Sequence, residues 1–415
     1  MDFRGIATAR AAALHAILRI RNATVHVKEG TFVFRYRVFI LLVLLAVAPA
    51  ATPSISVPGP ASSDRQRETV RSLSHLIQEL MRRSAVPGLS VALIENRKTV
   101  WIGNFGVKNL QRPDPVSGDT VFEAASMSKP VFAYAVLKLV DQGKFNLDTP
   151  LSHYLPAYVK NDDRISLITA RLVLTHRTGF PNWRRAGPLT IHFRPGDKFS
   201  YSGEGFVYLQ RTIEKITGLT LNEFVRRNVF IPLEMKNSSY EWRPSFDKQA
   251  AWGHDVQGTP GDRYDFGIAG HRFPWKDSAP NAAATLITSA SDYARFVIAI
   301  MNGSGLKCDI MRAMLSPQSQ VDSGCYSCID VQATHPDKII SWGLGIGLER
   351  TARDRYFWQW GDNNGFKAFM MGSPKSGSGL VILTNSDHGM EIIPDIVAAA
   401  TGQTQPLFDW LQYKH

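Results

Sequence analysis

The sequence predicts an α+β fold in which one sheet is assembled from both ends of the chain, with flanking helices and a long helical region inserted between its strands. Two strand-like runs lie early, Leu89 to Glu95 and Thr99 to Phe105, and four more return late, at Gly343 to Glu349, Arg355 to Trp360, Gly365 to Met371 and Gly379 to Thr384. From Thr120 to about Leu233 the spacing of apolar residues is helical instead. A chain of 415 residues has room for one large or two medium domains, and 44% apolar with 20% charged residues is ordinary for a globular protein.

Taken in order, residues 1–50 read as a signal or anchor segment. Arg35-Tyr36-Arg37 abuts the apolar run Val38 to Val47, and Ala48-Pro49-Ala50 offers a small-x-small cleavage site. The run is well short of the roughly 20 apolar residues of a spanning helix. The 37 residues before it are long for a charged leader, so either translation starts later than Met1 or the segment is retained as an N-terminal membrane anchor. Residues 51–66, rich in Pro, Ser and Ala, read as a linker. Residues 67–415 are expected to form the main domain, with the helical insertion at about 120–300. It opens on an amphipathic helix marked by Val70, Leu73, Leu76, Ile77 and Leu80, which stops by Pro87-Gly88. Asn96-Arg97-Lys98 is the turn of the first hairpin. Ala170 to Thr175, Gly205 to Thr217 and Leu221 to Val229 are further helices. Asn281 to Asn302 is expected to be another, capped by Ser289 to Asp292, and Glu391 to Ala400 closes the chain.

The net charge of +11 is misleading, because residues 1–50 carry seven basic residues against Asp2 and Glu29 and so hold +5 of it. The remaining basic residues are scattered without a stripe, which argues against a nucleic-acid partner. Of the three cysteines, an odd count leaves at least one unpaired. Cys325 and Cys328 have the spacing of half a zinc site, but no second ligand pair accompanies them, so no metal is expected. An oxidising compartment would allow a disulfide between Cys308 and either of the others.

The chemistry-bearing stretch is Phe122-Glu123-Ala124-Ala125-Ser126-Met127-Ser128-Lys129-Pro130, running into a helix with Val131, Ala135, Leu137, Leu139 and Val140 on its apolar side. Residues three apart share a helix face, so the Ser126 hydroxyl and the Lys129 amine fall within reach of each other. Ser-x-x-Lys recurs at Ser245 to Lys248, where no apolar helix follows and a loop is expected. Taken alone, Ser126 reads equally well as a helix cap followed by a solvated lysine. Two further stretches decide: Phe199-Ser200-Tyr201-Ser202-Gly203-Glu204-Gly205-Phe206 and Trp358-Gln359-Trp360-Gly361-Asp362-Asn363-Asn364-Gly365-Phe366.

In order and spacing these three stretches resemble the motifs of the serine β-lactamase and penicillin-binding-protein superfamily, nearest its class C branch with the related esterases and D-amino-acid peptidases. Leu174-Thr175-His176-Arg177-Thr178-Gly179-Phe180-Pro181, Ile231-Pro232-Leu233-Glu234-Met235 and Ala284 to Phe296 resemble further phrases of that family. The resemblance covers roughly Arg67 to Ala400. It implies a β-lactamase/transpeptidase-like fold with an antiparallel sheet, no cofactor, and a small ester, amide or peptide as substrate. It casts Ser126 as the acylated nucleophile, Lys129 as its base and Tyr201 as the proton relay. Gly203, Gln359, Trp360, Gly361 and Asp362 would line the substrate site, with the Ser126 and Asp362 amides as the oxyanion hole. For Lys129 to be half neutral at pH 7, its pKa must fall from about 10.4, a cost of about 4.6 kcal/mol. A helix N-terminus supplies only about 0.3 to 1 kcal/mol of that. Burial deep between sheet and helical region is therefore expected.

Two departures bear on substrate. Gly203 stands where the family has Asn, and Gln359 stands where it has a Lys or His that helps bind a substrate carboxylate. His176, Arg177, Arg184 and Lys367 are the cations available to make up for the loss. The expectation is an exported serine hydrolase, periplasmic or secreted, with carboxylesterase activity ahead of D,D-carboxypeptidase or β-lactamase activity. The contrasting reading is a non-catalytic cell-wall or peptide-binding module.

Overall fold

The computed structural model describes residues 60–184, 187–261, 279–329 and 336–413. The expected leader, and with it the cleavage site, lies outside the described residues. Eight strands form one sheet in the order β2-β1-β10-β9-β8-β7-β6-β5, every neighbouring pair antiparallel. They are β1 (Gly88–Glu95), β2 (Lys98–Gly106), β5 (Ser319–Asp322), β6 (Pro336–Trp342), β7 (Gly347–Arg350), β8 (Arg355–Asn363), β9 (Phe366–Gly372) and β10 (Gly379–Thr384). Early and late strands meet where β1 pairs with β10, Val91 opposite Ile382. The sheet is thus built from both chain ends.

Its central strands are buried on both faces, so β9 and β10 are almost wholly apolar rather than alternating. The period of two still sorts them. Phe369, Met371, Leu380 and Ile382 face the helices α1 (Pro60–Arg83) and α5 (Gly389–Thr401), through Leu73, Ile77, Ile393 and Val397. Ala368, Met370, Val381 and Leu383 face the inserted region, including α2 (Ser128–Asp141), α3 (Gly203–Thr217) and α4 (Ala290–Met301).

Three local expectations are corrected. The first helix begins at Pro60, inside the stretch expected to be linker; proline is well tolerated in a helix's opening turn. The helix expected over Asn281 to Asn302 covers only Ala290–Met301. Asn281 Oδ1 captures the amide of Ala283 and Thr285 Oγ1 that of Asn281. These local bonds outcompete the alanines' helix propensity. A two-stranded ribbon of β3 (Phe122–Glu123) and β4 (Ile287–Thr288) follows, and the helix starts only after Ser289 caps it. Ser245, read as loop, precedes a four-residue helix, Phe246–Gln249. Among the described residues no helix is long and apolar enough to cross a membrane, and no His, Cys, Asp and Glu cluster could hold a metal.

Candidate active site

The chain leaves β3 through Ala125, whose φ of 48° lies in the left-handed region that a β-carbon disfavours. A single 3-10 turn, Ala125–Met127, then carries Ser126 into α2. The surroundings hold this strained turn in place. The Ser128 hydroxyl donates to the Ala125 carbonyl and accepts from the Leu286 amide, while the phenols of Tyr293 and Tyr240 donate to the carbonyls of Met127 and Ser128.

Lys129, one helical turn on, is 1% exposed. Its Nζ lies 3.0 Å from Ser126 Oγ and donates to the Ala283 carbonyl at 3.0 Å. The amine sits 4.7 Å from the ring centre of Tyr201, 5.7 Å from Trp183 and 5.8 Å from Phe206. Burial in this aromatic cage pushes its pKa well below 10.5. Tyr201 completes the cluster. Its hydroxyl hydrogen-bonds the Ser126 side chain and accepts from Gln359 Nε2 at 3.0 Å. Burial raises its pKa, more than the Ser126 and Gln359 hydrogen bonds lower it, so the phenol stays protonated.

Three consecutive amides fix the tyrosine's backbone. Ser200 N–H donates to the His176 carbonyl and Tyr201 N–H to the Tyr326 carbonyl, both at 2.8 Å, and Ser202 N–H donates to His176 Nδ1 at 3.0 Å. From the other side β8 brings Gly361 against the Ser126 turn. A β-carbon on Gly361 would stand 2.3 Å from the Ala124 carbonyl oxygen. Only glycine lets the strand come this close.

The sequence profile of the Beta-lactamase family matches residues 73–401. The chain belongs to the beta-lactamase family. Protein flp of Staphylococcus aureus (strain N315) is 24% identical over 217 residues, 48% of this chain and 43% of that protein. The chain therefore spans less than half the length of that curated relative. Among solved structures, a class C beta-lactamase superposes with a TM-score of 0.65 at 20% identity, covering 81% of this chain and 96% of that one. The D-amino acid amidase from Ochrobactrum anthropi SV3 gives 0.64 at 19%, covering 80% and 98%. At these identities the likeness shows the β-lactamase/transpeptidase fold.

Within this beta-lactamase-family frame, several residues expected at the substrate site do other work. Gln359 is wholly buried, and its Nε2 is committed to Tyr201 and the Trp360 carbonyl, so it holds the phenol rather than facing a ligand. Trp360 stacks behind Tyr201, ring centres 4.7 Å apart, as a packing residue. Gly203 makes room for Trp183, whose indole would lie 2.6 Å from a β-carbon there. Asp362 alone of these side chains is exposed, accepting from the Tyr413 hydroxyl at 2.9 Å and pairing with Lys367 at 2.9 Å.

None of the four compensating cations is free. His176 is fully buried and held neutral by desolvation, and its Nδ1 is an acceptor. Arg177 donates to the Gly196 carbonyl, Arg184 pairs with Glu204 at 2.9 Å, and Lys367 is shared between Asp362 and Asp387. His176 is therefore a support for Tyr201 and not an anion ligand.

Sequence reasoning missed Tyr326, Tyr413 and the buried Glu123, whose carboxylate accepts from Asn363 Nδ2 at 2.7 Å and ties the end of β8 to β3. Glu123 in an otherwise apolar run was the one available signal. The cysteines are also corrected: Cys325 and Cys328 are joined to each other, and Cys308 is the exposed free thiol. The bridge to Cys308 that the sequence allowed does not form.

Proposed function

We propose that this protein is a serine hydrolase that forms an acyl-enzyme at Ser126 and acts on neutral esters or amides, with carboxylesterase activity foremost. The observation that carries the reading is the Lys129 amine 3.0 Å from Ser126 Oγ, buried with no carboxylate partner among the described residues. A neutral amine there accepts the Ser126 proton as Oγ attacks the carbonyl carbon, forming the acyl ester. The amides of Ser126 and Asp362 are the proposed oxyanion hole. Tyr201, kept protonated by burial, gives its proton to the leaving group and regains one from the Lys129 ammonium, which returns the amine to its neutral form to accept a proton from the water that releases the acyl group. Opposite shifts of the amine and the phenol divide the roles of base and donor.

That His176, Arg177, Arg184 and Lys367, among the described residues, are all engaged elsewhere is why esters are placed ahead of D-alanyl peptides and β-lactams, which present a carboxylate. Export to the periplasm or beyond, with cleavage or retention of the leader, is part of the same proposal. The apolar run after Arg35-Tyr36-Arg37 supports it, and so does a disulfide at Cys325–Cys328.

The test is turnover of p-nitrophenyl butyrate and, separately, of a chromogenic cephalosporin by the wild type and Ser126→Ala. Ester hydrolysis should exceed cephalosporin hydrolysis and fall by about 10³-fold or more in the variant. An absence of turnover together with no fluorophosphonate adduct on Ser126 would favour a binding module instead. Gln359→Leu, which removes the donor to the Tyr201 hydroxyl, should lower ester kcat about tenfold, the worth of one hydrogen bond, with KM little changed. An unchanged kcat would mean that Gln359 does not hold the phenol in its working position.

A further inference from the structure

We infer that Tyr326, carried on the four-residue ring closed by the Cys325–Cys328 disulfide, is a positioning residue for Tyr201, and that reducing this disulfide slows acylation of Ser126. The inference rests on the hydrolase reading above and adds a means of regulating the same site.

Its footing is the clamp on residues 200–202. Two of the three amides there bond to His176, which is itself buried, whereas the amide of Tyr201 depends on the Tyr326 carbonyl. The Tyr326 ring extends the contact, 5.8 Å from Trp360 and 6.5 Å from Tyr201. Around the ring the loop is pinned at its edges. Trp410 Nε1 donates to the Asp322 carbonyl, Gln412 Nε2 to that of Gly324, and Lys198 Nζ to that of Ile329. Inside those pins an isolated β-bridge pairs Cys325 with Asp322, and the bond to Cys328, which is 1% exposed, closes the ring that carries the Tyr326 carbonyl. Cys325 is only partly buried and so is the sulfur a reductant can reach.

A small dithiol attacks Cys325 Sγ as its thiolate. The Cys325–Cys328 bond breaks and Cys328 leaves as a thiolate that takes up a proton. The second thiol of the reagent then displaces Cys325, so that the protein gains two thiols and the reagent becomes a disulfide. With the ring open, the Tyr326 carbonyl is free to turn away, the Tyr201 amide loses its acceptor, and the phenol drifts from Ser126. Because Tyr201 takes part in proton transfer, the loss should appear in kcat and not in substrate binding.

The experiment uses the full-length protein carrying Cys308→Ser, so that thiol reagents report only on this pair. p-Nitrophenyl butyrate turnover is measured before and after dithiothreitol, alongside a thiol count and the rate of fluorophosphonate labelling at Ser126. Reduction should expose two thiols and lower kcat and labelling at least about tenfold with KM little changed, the scale expected for a misplaced catalytic group. Reoxidation by a small disulfide should restore both. The pair Cys325→Ser with Cys328→Ser should hold the lower rate with or without reductant. Two titrated thiols with unchanged kcat and labelling would overturn the inference and leave the hydrolase reading standing. Absence of turnover and labelling in the oxidised protein would overturn both.

Discussion

Lys129→Met should abolish ester turnover and at the same time raise the melting temperature. The loss of activity follows from removing the proposed base beside Ser126, and on the scale of proton-transfer catalysis it should be about 10³-fold or more. The gain in stability follows from what burial does to the amine. In the unfolded chain Lys129 binds its proton below about 10.5, whereas in the folded protein desolvation holds its pKa well below that. Between the two values the unfolded state carries the extra proton, so wild-type stability rises with pH across that window. As pH falls from about 10.5 the wild type progressively loses stability relative to the methionine variant, and the difference levels off below the folded pKa. The variant's advantage should thus be large at pH 7, about 2 °C or more in Tm, and should vanish near pH 10.5. Thermal melts of both proteins from pH 6 to 10.5 check the sign. A variant that melts lower at pH 7, or retains turnover, would show that Lys129 is not a buried neutral base. The wild-type rate should meanwhile climb with pH through the depressed pKa of Lys129, a limb well below that of an ordinary lysine.

The parts of this molecule legible in the sequence are those set by short-range spacing. β9 and β10 are continuous apolar runs, and the interval from Ser126 to Lys129 is one helical turn, so both could be placed without knowing their neighbours. Burial of Lys129 followed from an energy argument, since no helix dipole could neutralise it. What escaped was long-range. Tyr201 is held by His176, 25 residues before it, and by Tyr326, 125 residues after it, and nothing local to position 201 points to either. The departure at Gly203 looked like a lost polar group, but it is half of a packing pair whose other half is Trp183. Gln359 looked like a weakened ligand because its type was compared with a cation. Its burial against Tyr201 gives it a different task. The cysteine pairing stayed open because a bridge within a four-residue ring depends on the loop's path, which composition does not reveal.

The second large effect is expected from Gly361→Ala, which adds one methyl group. The new β-carbon would stand 2.3 Å from the Ala124 carbonyl oxygen, 3.1 Å from its carbon and 3.2 Å from the Ala125 side chain. Two of these three atoms belong to backbone, and Ala125 is already in the left-handed region with its carbonyl bonded by Ser128, so the Ser126 turn has little room to retreat. On the other side β8 is tied to β9 by pairing from Phe357 to Asn363, and Asn363 is held by Glu123. The strain must open the gap between the Asp362 amide and the Ser126 turn, the two halves of the proposed oxyanion hole. Loss of one such donor lowers kcat by about 10²- to 10³-fold, while overpacking costs about 1 to 3 kcal/mol of stability. Gly203→Ala is the matched control. Its β-carbon meets the indole of Trp183 at 2.6 Å, a side chain that can swing aside, with the nearest backbone atom, the Asn182 carbonyl oxygen, at 3.0 Å. It should therefore cost less kcat than Gly361→Ala. If Gly361→Ala folds and turns over ester at the wild-type rate, the close approach of β8 to Ser126 is a packing feature, and the oxyanion must be held elsewhere.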